Sequence, residues 1–178
     1  MNIKRRRQIL VLIPLLILMP VLAFAQTAAE MDAMLTADTV SSARAARFIL
    51  GAADLLPSGL SGPEAESSTE AEGIANDSSR GSPLEKAAYD MASSNGWINA
   101  ASSEAVTMKD AAFLIMKAFD LKGGVMYSLF SNPRYAYREM VYRKLIPGST
   151  DQGMKVSGAK LLLILEKTLN YAGEGGRQ

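Results

Sequence analysis

The chain has 178 residues, 19 of them basic and 18 acidic, and a formal net charge of +1. It contains no Cys and no His, which excludes disulfides and thiol nucleophiles and removes the commonest general base and metal ligand. A charge this close to zero also argues against nucleic-acid binding, which relies on a basic excess. We therefore predict no catalytic residues, no metal site and no cofactor.

The first 25 residues have the three-part layout of a secretory signal peptide. Four basic residues, Lys4 to Arg7, precede an apolar run that ends at Leu22, and Ala23-Phe24-Ala25 follows as a small-x-small cleavage site. Pro14 and Pro20 interrupt the run, which disfavours a stable membrane-spanning helix. Cleavage after Ala25 is the favoured interpretation and an uncleaved anchor is the alternative. The mature protein would then lie in the periplasm or cell envelope with no stable membrane span.

Cleavage would remove four of the 19 basic residues and no acidic ones, leaving 15 against 18 and a net charge of −3. Composition divides the remaining chain into four predicted parts. Residues 26–55 are predicted to form a short helical segment, and residues 56–83 a flexible acidic linker rich in Ser, Gly, Pro and Glu, too polar to bury a core. Residues 84–172 carry helical periodicity, and residues 173–178 are predicted to form a disordered tail.

A repeated pattern predicts the architecture. Residues 40–55, 106–121 and 156–171 align without gaps, and each begins with Val followed by a hydroxyl residue. We expect this hydroxyl to cap the helix at Thr107 and Ser157. A preceding helix also repeats, because residues 86–98 overlay residues 134–146. Such periods are typical of stacked supersecondary units. The predicted fold is mainly α, with tandem helix-turn-helix repeats packed around a small three-helix core and a long disordered acidic loop, residues 26–55 being a partial repeat.

These units resemble S-layer homology repeats of bacterial envelope proteins. The resemblance rests on "NGWINAASSEAVTMKDAA", from Asn95, and "RKLIPGSTDQGMKVSGAK", from Arg143, which follow the family's turn and the "ITRAE" start of its second helix. It implies a helical module that binds an acidic wall saccharide at these helix starts. The chain departs from the family at the Arg of "TRAE", where it has Ser42, Met108 and Gly158.

Candidate ligand-binding residues fall into two groups. Arg44 and Lys160 would place cations beside helix starts, and ordinary solvated charges are the alternative for these two residues. Arg134 and Arg138 are four residues apart and share a helix face, with Tyr135 and Tyr142 nearby. The alternative for this pair is that Arg138 forms an ion pair near Glu139 or with the acidic linker, and Tyr137 is interpreted as a packing residue. With the helix caps and the turn residues, the predicted site comprises Arg44, Thr107, Arg134, Arg138, Gly148, Asp151, Ser157 and Lys160.

The function expected from these features is a non-enzymatic, secreted or periplasmic binding module that attaches to peptidoglycan or another cell-wall polymer. The alternative is a structural protein-protein contact with an envelope protein, without saccharide binding. A carboxylate- or serine-based hydrolase is a third hypothesis, which needs two catalytic groups in one cleft. Nucleic acid is not an expected partner.

Overall fold

A computed structural model describes residues 29–56, 82–147 and 150–173. The described residues are mainly helical, as predicted, and contain two isolated antiparallel bridges but no strand. The predicted signal peptide, the linker between residues 57 and 81, Gly148 and the last five residues lie outside the described residues. No helix in the described ranges is both long and apolar enough to cross a membrane.

Seven helices account for this architecture in the described residues. They are α1 (29–35), α2 (Ser42–Ala52), α3 (Pro83–Ser94), α4 (Met108–Ala118), α5 (Val125–Leu129), α6 (Pro133–Tyr142) and α7 (Gly158–Gly173). The described residues divide into two units, the first comprising residues 29–36 and the second comprising those from Ala37 onward. In the first unit, the amide and hydroxyl of Thr36 both donate to the Asp32 carbonyl at the end of α1.

The helix bounds differ from the predicted ones at three places. Ser82 and Pro83, predicted as linker, are the N-cap and first residue of α3, because a capping hydroxyl followed by Pro is a favourable helix start. Gly173, predicted as tail, is the last residue of α7. The short helix α5 was not predicted from the sequence, because one helical turn is too short to show periodicity.

The three aligned segments meet in a closed ring of backbone hydrogen bonds. The amide of Val40 donates to the carbonyl of Val156 at 2.9 Å, that of Val156 to Val106 at 3.1 Å, and that of Val106 to Val40 at 2.9 Å. All three valines are buried. Because each residue both donates and accepts, the ring satisfies buried polar groups that would otherwise cost stability, and it brings together segments far apart in the sequence.

A hydroxyl group caps the helix that follows each valine. The three capping contacts run from backbone amide to side-chain oxygen, namely Arg44 to Ser41 at 3.3 Å, Asp110 to Thr107 at 3.4 Å and Lys160 to Ser157 at 3.4 Å. Thr107 also donates its hydroxyl proton to the Asp110 carboxylate. The cap predicted at Thr107 is therefore confirmed, and it satisfies an amide that the helix leaves without a partner.

Four helices end in the same way, with one residue in the left-handed region. These residues are Asp54 (φ 57°) after α2, Gly96 (φ 68°) after α3, Asp120 (φ 49°) after α4 and Lys144 (φ 61°) after α6. In each case the amide of the next residue donates to a carbonyl five residues earlier, which is the Schellman arrangement. The next residues, Leu55, Trp97, Leu121 and Leu145, are large and apolar.

The core of the larger unit is built around α2 and α4. Helix α2 packs against α3, α4 and α7, and α4 also packs against α6. Residues 111–116 of α4 are all buried, so this part of the helix has no exposed face. This coverage comes partly from α5, since the Tyr127 ring meets the Phe113 ring edge-on at 6.5 Å between centroids.

Candidate functional site

The starts of α2, α4 and α7 use their first amides for contacts within the protein. Three buried residues there donate to carbonyls of neighbouring segments: Ser42 to Glu104 at 2.8 Å, Met108 to Met154 at 2.9 Å and Gly158 to Ala37 at 2.9 Å. An anion at a helix start is normally held by such free amides. Here these amides join the segments to each other.

Two predicted cations at the helix starts have different surroundings. The Nε of Arg44 is 3.2 Å from Oε1 of Glu85, whose side chain is buried in the first turn of α3. This ion pair connects α2 to α3. Lys160 is half-buried, and its backbone amide, rather than its ammonium group, makes the contact with Ser157. Thr107 and Ser157 serve as helix caps at these starts.

The outward face of α6 carries the other predicted cations. Arg134 and Arg138 are exposed, and among the described residues neither guanidinium has a hydrogen-bond or ion-pair partner. Tyr142 lies one turn further along and is 84% exposed. Residues four apart are neighbours on a helix surface, so two free guanidinium groups and one aromatic ring line a single stripe. We call Arg134, Arg138 and Tyr142 the α6 face.

Two tyrosines at aligned positions have the same structural role. The Tyr89 hydroxyl donates to the Ala100 carbonyl at 2.9 Å, and the Tyr137 hydroxyl donates to the Thr150 carbonyl. Each contact holds the loop that follows the helix, α3 or α6, against that helix. Tyr137 is therefore engaged in packing, as its alignment with Tyr89 predicts.

The predicted turn around Asp151 is stabilised by a hydrogen bond between neighbouring residues. Oδ1 of Asp151 accepts a hydrogen bond from the Gly153 amide at 3.1 Å, an Asx-type turn. Lys155 follows, and its ammonium group donates to the Ala105 carbonyl at 2.8 Å and lies 3.6 Å from Glu104. In the described part of the chain, no group of three acidic side chains is placed to hold a metal ion.

Arg143 joins three parts of the structure and was not singled out from the sequence. Its Nε donates to Glu139 at 2.8 Å, its Nη1 donates to the Tyr171 hydroxyl at 2.8 Å, and its Nη2 donates to the Lys122 carbonyl. The guanidinium also lies 5.2 Å from the centre of the Tyr171 ring. The spacing of Glu139 and Arg143 by four residues was the available signal, and the contacts with α7 needed the tertiary structure.

Tyr127 is the buried residue of α5. Its hydroxyl has no hydrogen-bond partner among the described residues, and Lys117 Nζ lies 5.8 Å from the centre of its ring. Burial raises the pKa of the Tyr127 hydroxyl, and an opposing interaction with Ser131, short of hydrogen-bond geometry, lowers it. The hydroxyl therefore stays protonated to higher pH than an exposed tyrosine would.

Four apolar side chains in α5 and at its C-terminal end are exposed. We call this group the α5 crest; it consists of Val125 (75% exposed), Met126 (51%), Leu129 (68%) and Phe130 (56%). Single exposed apolar residues are common on protein surfaces, whereas a contiguous group of them often marks an interaction site.

Comparisons of the chain with protein-family models, with curated proteins and with solved structures find no match. The likeness to S-layer homology repeats therefore rests on the quoted sequence motifs.

Proposed function

We propose that the chain is a non-enzymatic binding module of the bacterial cell envelope and that the α6 face binds an anionic wall polymer such as peptidoglycan. The observation that carries this proposal is the pair of exposed guanidinium groups of Arg134 and Arg138, which have no partner among the described residues. The signal-peptide pattern of residues 1–25 supports export to the compartment where such polymers occur.

The chemistry of the α6 face suits a polymer that carries both carboxylates and sugar units. A guanidinium group binds a carboxylate through two parallel hydrogen bonds, and residues four apart on a helix have their Cβ atoms about 5–6 Å apart, so both guanidinium groups can reach one stretch of polymer. The ring of Tyr142, 84% exposed, adds an apolar surface for a sugar ring. Arg44 is less suited to this role, because it already pairs with Glu85.

Sedimentation with purified peptidoglycan sacculi tests the proposal. We expect the exported protein to sediment with sacculi and the Arg134→Gln/Arg138→Gln variant to lose most of that binding, because both carboxylate-binding groups are removed. Binding by the unsubstituted protein should weaken as salt rises, since exposed charge interactions are screened. An Arg44→Gln/Lys160→Gln variant measures the contribution of the helix starts in the same assay.

The matched control is Lys86→Gln/Lys167→Gln, which removes the same charge from α3 and α7. We expect this control to bind like the unsubstituted protein. Equal losses of sacculus binding in the control and the α6 variant would show that binding depends only on net charge. Loss of binding only in Arg44→Gln/Lys160→Gln would indicate that the site lies at the helix starts. Failure of the unsubstituted protein to bind sacculi would contradict the proposal.

A protein-protein contact in the periplasm or outer envelope is the second candidate function. The α5 crest is the surface available for such a contact, because exposed apolar groups also occur in weak, transient protein interfaces. Under this alternative the protein would not sediment with sacculi, and the α6 variant would behave like the control.

A further inference from the structure

We propose that the α5 crest docks on a membrane surface of anionic phospholipid. This inference goes beyond wall binding, because it concerns a different surface and a ligand that purified sacculi do not contain. Three features support it, namely the position of the crest on α5, the basic residues near it in the sequence and the exposure of its apolar side chains.

Two residues of the crest lie on the side of α5 that faces away from the body of the protein. Tyr127 is buried and anchors α5 to the body of the protein through its ring contact with Phe113. Val125 and Leu129 lie two residues to either side of Tyr127, and at 3.6 residues per turn this places both about 160° away from it. Their side chains therefore point away from the protein, which agrees with their high exposure.

Aromatic residues extend the crest towards α6. The ring of Phe130 lies 6.0 Å from the ring of Tyr135 near the start of α6. At the other end of α5, a Cβ on Gly124 would lie 3.1 Å from Glu139 Oε2. These two contacts show that α5 runs antiparallel beside α6. Aromatic side chains beside an apolar ridge are typical of groups that sit at the level of lipid headgroups.

The charge of this region complements an anionic surface. Residues 122–144 contain five basic side chains, Lys122, Arg134, Arg138, Arg143 and Lys144, and one acidic side chain, Glu139. Glu139 is already paired with Arg143 at 2.8 Å, and the nearest other acid in the sequence is Asp120. Each cation beside an anionic leaflet strengthens binding about fivefold, so lipid of this charge is favoured over neutral lipid.

The area of the crest fits insertion into lipid better than a stable protein interface. The crest consists of four residues, each exposed by half to three quarters, whereas a standard protein interface involves roughly 20–30 residues on each side. A stable protein interface buries about 800 Å² on each partner. A lipid surface has no such requirement, because a few apolar side chains insert about 5–10 Å into the headgroup boundary.

Vesicle sedimentation of the exported protein tests this inference. The probe is a vesicle of phosphatidylethanolamine with one quarter phosphatidylglycerol, compared with a vesicle of phosphatidylcholine alone. We expect the protein to sediment with the anionic vesicle, and we expect Val125→Ser/Leu129→Ser to weaken this binding about tenfold or more because the inserting side chains are lost. Every protein is used in the same processed form, so any contribution of the N-terminal segment is common to all.

The matched control is Leu163→Ser/Leu169→Ser, which makes the same kind of change at two exposed leucines of α7. It should bind vesicles like the unsubstituted protein, and the crest variant should still bind sacculi because it keeps Arg134 and Arg138. Loss of both activities in the crest variant would point to misfolding, which circular dichroism would reveal. In that case Leu129→Trp, with Leu163→Trp as its control, supports the inference if its fluorescence shifts to the blue on adding anionic vesicles and contradicts it otherwise.

Two results would overturn the inference. One is the absence of binding to anionic vesicles beyond that to phosphatidylcholine. The other is a crest variant that keeps full vesicle binding. If the crest variant instead changes the oligomeric state in light scattering while vesicle binding is absent, the crest contacts a second copy of the chain. Sacculus binding is measured independently, so either proposal can fail while the other stands.

Discussion

At the scale of single residues, Arg44 illustrates how an exposed cation is used for stability. Its partner Glu85 is buried, so the Arg44→Ala substitution leaves a carboxylate in the interior without its cation. We expect the free energy of unfolding to fall by about 1–3 kcal/mol, measured by urea denaturation. Adding Glu85→Gln to this variant should recover part of the loss.

Lys86→Ala is the comparison for Arg44→Ala, because Lys86 is an exposed cation next to Glu85 in the sequence. Its effect on stability should lie within about 0.5 kcal/mol of zero. An Arg44→Ala variant as stable as Lys86→Ala would show that the ion pair contributes nothing to folding.

Tyr127 is the second residue whose environment supports a quantitative prediction about stability. Its buried hydroxyl lacks a hydrogen-bond partner among the described residues, so Tyr127→Phe should raise the free energy of unfolding by about 1 kcal/mol. Burial raises the pKa of Tyr127 in the folded protein. As pH rises past about 10, the ordinary tyrosine pKa, the unfolded state ionises first and the unsubstituted protein loses stability.

Denaturant unfolding at neutral and alkaline pH checks this prediction. The advantage of Tyr127→Phe should increase with pH, because the substituted ring cannot ionise in either state. Tyr142→Phe is the control at an exposed tyrosine and should leave stability unchanged at both pH values. An advantage that shrinks at alkaline pH would contradict the raised pKa.

At the scale of helices, the shared C-terminal ends predict opposite effects at equivalent positions. Lys144 has a φ of 61° and Gly96 a φ of 68°, a region that favours glycine. Lys144→Gly should raise the free energy of unfolding by about 0.5–1 kcal/mol, and Gly96→Ala should lower it by about 1 kcal/mol. A Cβ on Gly96 would meet no atom within 4 Å, so the loss would come from the backbone alone.

Thermal unfolding of the two variants measures both effects against the unsubstituted protein. One variant introduces a glycine at a positive φ and the other removes one, so the two shifts in unfolding temperature should have opposite signs. A Gly96→Ala variant with unchanged stability would indicate that the end of α3 can adopt a backbone conformation without a positive φ at no cost.

At the scale of the whole molecule, the valine ring couples three segments that are far apart in the sequence. Val40→Pro, Val106→Pro and Val156→Pro each remove one amide donor and leave one buried carbonyl without its partner. We expect each to lower the free energy of unfolding by about 1–3 kcal/mol beyond side-chain effects. Urea denaturation is the measurement, and similar costs at all three positions are expected because the ring is closed.

Val→Ala at the same three positions separates side-chain packing from the hydrogen bond, because alanine keeps the amide. If each proline variant were no less stable than its alanine counterpart, the ring would not contribute to stability. A large cost at only one position would mean that the three segments are held independently.

The sequence was sufficient to predict the helical class, from periodicity, and the hydroxyl caps at Thr107 and Ser157, because both features depend on residues within one or two turns of each other. The roles of Arg44, Arg143 and the α5 crest were decided by tertiary contacts. Arg44 acquired a buried partner 41 positions away, Arg143 reached a hydroxyl 28 positions away, and burial of Tyr127 turned its apolar neighbours outward.

The chain by itself therefore determined a mainly helical protein without cysteine or histidine chemistry, together with the placement of Arg134 and Arg138 on one helix face. Only the tertiary structure decided which cations have a partner among the described residues and which apolar side chains remain outside the core. The physical reason is that hydrogen bonding within a helix is local, whereas ion pairing and burial depend on which distant segments pack together.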